Sequence, residues 1–388
     1  DTVKEEIPGP ARPLRILRII ARMNVGGPAW QVSVLTRGVN AAWCESRLLT
    51  GEVDEGEADF LDLRDPGLTV EKIPFLGRSV RFGDDFRAFL AIRRVILDFK
   101  PDLVHTHTAK AGLLGRLAAI SCRVPLRVHT FHGHLLHGYF GRLASWVLIL
   151  VERVLARGTT ALVAVGAQVR DDLIKVGIGK ADQYTVIPPG VELVEIRDRG
   201  TARAQLDLPA ESPVVLFVGR ITAIKRLDRL VDAMAAVLDR HSDAVLVVAG
   251  EGECLKEIER QARPLGDSVR FLGWQEDVGR LYAAADCVVI TSHNEGMPVS
   301  LIEAAMAGVP GVTTDVGSAS EVVLDGVTGL VVGTDPAEVA DGLLRVLQAD
   351  VRDRMGSAAR RRAEIEFSSQ RLIEDHQNLY KVLVAQRW

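Results

Sequence analysis

Glu295 and Glu303 bracket the segment of this chain whose residue types most plainly suit chemistry, His-Asn-Glu-Gly-Met-Pro-Val-Ser-Leu-Ile-Glu from His293 to Glu303. An apolar strand over 287–291 runs into it. Pro298 suits the first turn of a helix, where its missing N–H costs nothing. Gly308 and Pro310 suit the helix end. Free N–H groups around Met297 to Ser300, in a turn that also holds Gly296, Pro298 and Val299, would then face out at the strand's carboxyl end, a ready site for a diphosphate. Glu295 falls on the loop and Glu303 about one and a half turns into the helix, so two carboxylates flank one anion-binding turn. One would hold sugar hydroxyls and the other ribose hydroxyls. Each glutamate alone reads as an ordinary solvated side chain. The strand, turn and helix stop together favour the functional reading.

Arg220 and Lys225 follow another apolar strand, 214–218, at the carboxyl end where α/β domains bind ligands. An arginine fork and a lysine point charge suit a diphosphate leaving group. Early in the chain, Asn24-Val25-Gly26-Gly27-Pro28 ends a strand over 14–20. Its glycines let backbone approach a ligand closely, although a tight βα turn would use the same residues. His129, His132, His134 and His137 crowd one segment, but no Cys or acid accompanies them and the strand points His129 elsewhere, so no metal is expected. His107 and Lys110 follow a strand and open a helix. They are expected either at a cleft rim, facing an acceptor or its phosphate, or as a satisfied cap and a solvated charge.

Short apolar runs alternate with helical stretches almost throughout the 388 residues, the βαβ signature of parallel sheets covered on both faces. Strands are expected at 14–20, 46–49, 69–73, 102–105, 126–130, 161–165 and 184–187. A second series is expected at 214–218, 244–248, 269–272, 287–291, 309–313 and 329–332. Helices are expected at 84–99, 227–240 and 337–347, among others. Pro188-Pro189-Gly190 and the polar stretch after it form a natural hinge. The expected division is a leader over 1–13, an acceptor-side Rossmann-like domain over 14–195, a nucleotide-sugar-binding Rossmann-like domain over 196–368, and a last helix over 369–388 packing back on the first domain.

The formal charge of −4, from 47 basic and 51 acidic residues, argues against nucleic acid as a partner. Cys44, Cys122, Cys254 and Cys287 lack metal-ligand spacing and read as reduced, buried small hydrophobes. The N-terminus lacks the apolar core of a signal peptide. The apolar stretch 140–155 is broken by Arg142, Glu152 and Arg153 and is too short to span a bilayer. The helix over 135–157 is either buried in its domain or lies on a membrane surface.

With these residues in view, the Glu295-x7-Glu303 pattern is similar to the signature of retaining glycosyltransferases of family 4, which have the GT-B fold. The Asn24-to-Pro28 turn resembles that family's first glycine loop, and Gly219-Arg220 through Lys225 its phosphate grip. Ala249-Gly250-Glu251-Gly252 and Phe271-Leu272-Gly273 resemble its second-domain strand ends. The likeness spans roughly residues 14 to 385. Pro188-Pro189-Gly190 departs from a frequent Pro-Asn-Gly at the hinge.

The resemblance implies two Rossmann-like domains facing across a cleft and transfer of a sugar, with retention, from a nucleotide diphosphate to an acceptor hydroxyl. It implies a UDP-sugar as substrate, no cofactor and no metal; the sequence also lacks any Asp-x-Asp. It assigns His132 to the sugar near the anomeric carbon, Arg220 and Lys225 to the departing phosphates, and Gly273 to the donor site. His134 is a lower-ranked acceptor-side residue. A glycan or lipid-linked acceptor, a cytoplasmic location and peripheral contact at the inner membrane face are the accompanying expectations. A nucleotide-sugar epimerase and a non-catalytic binding protein share the cleft, but the intact Arg220, Lys225, Glu295 and Glu303 favour transfer. A dehydrogenase would want Gly-x-Gly-x-x-Gly after the first strand, where this chain has Val25-Gly26-Gly27-Pro28.

Overall fold

The computed structural model describes residues 12–39, 43–54, 57–77, 81–133, 142–192 and 197–387. Most of the expected leader, the expected boundary at 195–196, and His134, His137, Tyr139 and Phe140 lie outside those residues. The chain divides into two compact units. One runs to Gly190 and takes up the chain again from Ser369; the other is Val191–Ser368.

The first unit reads β1 (Leu14–Arg22), α1 (Gly27–Gly38), β2 (Cys44–Gly51), α2 (Phe60–Leu63), β3 (Glu71–Lys72), α3 (Phe82–Phe99) and β4 (Leu103–His107). It continues with α4 (Ala109–Ser121), β5 (Leu126–Phe131), α5 (Arg142–Arg157), β6 (Ala161–Ala164), α6 (Ala167–Lys175) and β7 (Tyr184–Val186). Its seven strands lie parallel in the order β3-β2-β1-β4-β5-β6-β7. The order reverses between β1 and β4, so the chain ends of those two strands form the switch point where open α/β sheets bind ligands.

The second unit reads α7 (Arg199–Gln205), β8 (Val214–Val218), α8 (Leu227–Leu238), β9 (Val245–Ala249), α9 (Leu255–Ala262), β10 (Val269–Gly273) and α10 (Val278–Ala284). There follow β11 (Cys287–Ile290), α11 (Val299–Met306), β12 (Gly311–Thr314), α12 (Ala319–Val322), β13 (Gly329–Val332), α13 (Pro336–Val346) and α14 (Ala349–Glu366). Six parallel strands take the order β10-β9-β8-β11-β12-β13, with the switch between β8 and β11. The chain then returns to the first unit as α15 (Ser369–Arg387).

Strand alternation sets the two cores of the first unit. Leu17 and Ile19 face α3 and α4, packing with Ile92, Ile96 and Ala118. Leu14 and Ile16 point the other way and pack with Leu35 of α1 and Leu372, Tyr380 and Leu383 of α15. Burying each such side chain contributes roughly 1.5–3 kcal/mol. Two buried charge clusters, one in each unit, are paired. Arg116 of α4 donates to Glu152 of α5 at 2.7 Å, with both side chains buried. Asp286 accepts from the buried Arg203 at 2.8 Å and from Arg199 and Arg352 nearer the surface.

Three expectations change. The strand over 69–73 shrinks to Glu71–Lys72, because it is an exposed edge with one neighbour. Only Cys44 and Cys287 are buried; Cys122 and Cys254 are half-buried, and all four are free. Arg12, placed in the leader by its sequence context, makes a bidentate bond to Asp102 at 2.9 and 2.6 Å.

Candidate functional site

In the second unit the switch point brings two loops together. The loop after β8 carries Arg220 and Lys225, and the loop after β11 carries Glu295. Lys225 Nζ donates to Glu295 Oε1 at 2.6 Å, and the Ser292 hydroxyl donates to the same oxygen. The loop under them is fixed from three directions. The His293 N–H donates to the Ile224 carbonyl at 2.8 Å. The Thr291 hydroxyl donates to the Arg226 carbonyl at 3.0 Å, and Arg229 donates to the Thr291 carbonyl at 2.8 Å. From the β12 side, the Thr314 hydroxyl donates to the Ser292 carbonyl, and the Ser318 N–H to the Gly296 carbonyl, each at 2.9 Å.

Gly317 completes that clamp. Its φ is +52°, and a Cβ there would stand 1.9 Å from the Glu295 carbonyl oxygen. Only glycine lets the β12 loop press on the backbone of Glu295. Gly250 does the same between β8 and β9, where a Cβ would meet the Gly219 carbonyl at 2.0 Å.

α11 starts at Val299 with Pro298 as its N-cap, no side-chain cap and no acid in its first turn. Gly296 and half-buried Glu295 precede it, and Met297 and Pro298 are buried. Its first N–H groups carry the positive end of the helix dipole beside Lys225 and Glu295. Gly308, just past the helix, takes φ +78° and stops it. Glu303 accepts from the Tyr282 hydroxyl at 2.6 Å, which fixes its carboxylate. Arg220 is exposed, and its side chain makes neither ion pair nor hydrogen bond among the described residues. Gly273 ends β10 with φ +64°, beside the Glu251 carboxylate. A lysine, an arginine, a helix N-terminus and an oriented carboxylate together suit an anion that carries hydroxyls.

In the first unit the equivalent strand ends are those of β1, β4 and β5. Gly26 is the N-cap of α1, which has Pro28 in its first turn, no side-chain cap and no acid there. Asn24 bridges to Asp59. Gly27 opens α1.

β4 and β5 sort the histidines by face. His105 and His107 point to one side with Thr130, because His107 and Thr130 are register partners. His129 points to the other side, where its Nδ1 lies 2.8 Å from the Thr106 hydroxyl. His107 is therefore wholly buried, not at a rim as its place at a strand end suggested. Its Nδ1 lies 3.0 Å from Nε2 of half-buried His132. Burial holds His132 down at about 4, so it is neutral at physiological pH. It can exchange hydrogen bonds with a substrate but brings no positive charge. Lys110, also expected at the rim, is instead drawn to Asp85 of α3 at 2.6 Å.

Several residues escaped the sequence reading. Ser292 and Gly317 hold Glu295, but neither carries a distinctive signal in isolation. Thr108 takes φ +66° and ψ 159° at the N-cap of α4, immediately after His107. That conformation is nearly confined to glycine and stores on the order of 1–3 kcal/mol of strain. Its hydroxyl accepts from the Ala21 N–H at 3.3 Å, tying β4 to the end of β1.

The family described as "Glycosyl transferases group 1" matches residues 198–362, and the "Glycosyl transferase 4-like domain" matches residues 26–190. The chain is 32% identical over 372 residues to D-inositol 3-phosphate glycosyltransferase of Frankia alni, covering 88% of this chain and 90% of that protein. It is 26% identical over 336 residues to the Escherichia coli UDP-Gal:alpha-D-GlcNAc-diphosphoundecaprenol alpha-1,3-galactosyltransferase, covering 84% and 87%. Among solved structures, sucrose-phosphate synthase from Thermosynechococcus elongatus superposes with a TM-score of 0.82 at 24% identity, over 96% of this chain and all of that one. Anabaena HepE in complex with UDP and glucose superposes with a TM-score of 0.80 at 22% identity, over 95% of this chain and all of that one.

Proposed function

The chain belongs to the group 1 glycosyltransferases with a 4-like N-terminal domain, and from that premise we propose that it moves a sugar from UDP to a hydroxyl of a lipid-linked acceptor, with retention and without a metal. It is a glycosyltransferase of GT-B fold that uses a nucleotide-sugar donor. The observation that carries the finer reading is the Lys225–Glu295 pair beside the uncapped start of α11.

Lys225, Arg220 and the first N–H groups of α11 supply positive potential where the diphosphate departs. These groups do electrostatic work that a divalent cation does elsewhere. Glu295 orients the sugar hydroxyls and Glu303 the ribose. His132, neutral and anchored by His107, hydrogen-bonds the sugar. In the reaction the bond between the anomeric carbon and the UDP oxygen breaks. The acceptor oxygen bonds to the same face of that carbon, and its proton passes to the departing diphosphate. The E. coli relative is named for a diphosphoundecaprenol acceptor, which supports a lipid-linked substrate here. Among the described residues no helix is long and apolar enough to cross a membrane, and we place the enzyme as a peripheral protein on the cytoplasmic face.

The test is thermal stabilisation in EDTA against UDP, GDP, ADP, dTDP and CMP, with NAD as control. A selective shift with UDP supports the donor and metal independence together. A shift with another diphosphate alone reassigns the base, and a UDP shift that appears only when magnesium replaces the EDTA overturns metal independence.

A further inference from the structure

Three helices on one side of the first sheet carry large apolar side chains into solvent. Phe82, Phe86, Leu90 and Leu97 of α3 are 91%, 61%, 46% and 49% exposed. Trp146, Leu150 and Val154 of α5 are 59%, 45% and 55% exposed, at the spacing of one helical stripe. α4 packs between these helices and is pinned to α5 by the buried Arg116–Glu152 pair. It fills the interval with Leu117 and Ile120. A soluble domain seldom leaves so continuous an apolar face uncovered without a partner for it.

The charges on this face are one-sided. Arg87, Arg94, Arg153 and Arg157 are exposed on these helices, and Asp98 is the one exposed acid among their described residues. Of the other acids, Glu152 is buried against Arg116, Asp85 holds Lys110, and Asp84 pairs with Arg87 at 3.6 Å, which leaves Arg94, Arg153 and Arg157 in excess over Asp98. Positive excess here stands out in a chain whose net charge is −4. In a two-fold dimer this face would meet its own copy, arginines against arginines. Aromatic and aliphatic side chains ringed by arginine suit a bilayer surface with anionic headgroups.

We infer that the outer face of α3, α4 and α5 docks this enzyme on an anionic lipid surface, with Phe82, Phe86, Trp146 and Leu150 entering the interface and the arginines meeting the headgroups. The inference rests on the lipid-linked acceptor reading for its purpose, but not for its test, which uses lipid alone. Docking would let the enzyme meet its acceptor by diffusion in two dimensions.

The experiment is co-sedimentation of the full chain with vesicles of phosphatidylglycerol and phosphatidylethanolamine, and with vesicles of phosphatidylcholine. Binding is expected to the anionic vesicles and to fall with added salt. F86E/W146E/L150E, all at exposed positions, should weaken it by about tenfold or more. R87E/R94E/R157E should abolish the preference for anionic lipid. Both variants should keep the melting temperature and the wild-type thermal response to UDP, so a folding failure is recognised as such. Absence of vesicle binding by the wild type overturns the inference, as does binding that ignores both sets of substitutions. A wild-type dimer in sedimentation velocity that F86E/W146E/L150E disperses, with no vesicle binding, assigns the face to a second copy instead. A missing UDP response with intact vesicle binding would count against the donor reading and leave the docking face standing.

Discussion

Lys225 and Glu295 are 70 residues apart in sequence, yet the lysine Nζ lies 2.6 Å from the glutamate Oε1, across the one gap in the second sheet where strand order reverses. The pair neutralises both partners before any substrate arrives. A diphosphate would compete for the lysine, and that exchange frees the carboxylate to accept from sugar hydroxyls.

Glu295→Ala is therefore expected to cut kcat by about two orders of magnitude or more, the scale of losing an oriented polar group at a reacting centre. UDP binding should not weaken, and tightens to the extent that Lys225 is freed from Glu295. Calorimetry with UDP and steady-state transfer measured side by side will separate the two. Wild-type turnover in this variant would remove Glu295 from the sugar site.

Arg220 is exposed and unengaged among the described residues, so removing it should cost the fold nothing measurable. Arg220→Ala should leave Tm unchanged and weaken UDP binding by roughly 1.5–3 kcal/mol, the worth of a charged hydrogen bond. Lys225→Ala should weaken UDP binding similarly, but also lower Tm, because it strands Glu295. Wild-type UDP affinity in both variants would sink the phosphate assignment.

Gly317→Ala tests the clamp on Glu295 without touching a charge. The added Cβ would have to displace a carbonyl 1.9 Å away and sit at φ +52°. A stability loss of more than about 1 kcal/mol is expected, together with a drop in kcat exceeding any change in UDP affinity. Urea unfolding and steady-state kinetics report the two effects. A fully active variant would show that the β12 loop does not set the position of Glu295.

Buried histidines make the first unit acid-sensitive. Burial lowers His105, His107 and His129 well below the usual imidazole value, His132 to about 4 and His376 to about 3. The unfolded chain takes up their protons at a higher pH than the folded one does. Stability is thus full above about pH 6.5 and is lost as pH falls through that value toward 4 and below. Each such histidine contributes a slope of about 1.4 kcal/mol per pH unit. Urea midpoints measured from about pH 7.5 to 4.5 should fall steeply, and His376→Asn should flatten the slope by one proton's worth. A flat profile would contradict the burial of this cluster.

What could be read from sequence depended on how local the cause was. β8 and β13 have the bounds their apolar runs predict, because both are interior or well-covered strands limited by turn residues. β3 could not be sized, since two paired residues on an exposed edge leave almost no pattern. Glu295, Lys225, Arg220 and the start of α11 were legible as a motif. The placement of His107 was not. Its burial depends on which face of β4 it shares with His105, and His105 in turn bonds Tyr380, 275 residues away on α15. No nearby residue announces that cover. Thr108 and Gly317 were missed for a related reason. Their roles lie in backbone angles and close approaches that residue type only permits.

The return of α15 to the first unit sets an order of events during synthesis. Leu372, Tyr380 and Leu383 belong to the same packed cluster as Leu14, Ile16 and Leu35. The domain begun first on the ribosome is thus the one finished last, after all of Val191–Ser368 has emerged. Until then α1 covers that side of the sheet without α15, and Arg18 and His105 lack the Tyr380 that packs on them. A message truncated between Ser369 and Leu372 would therefore yield a chain whose second domain could close while its first could not, leaving exposed apolar surface for quality-control proteases to find.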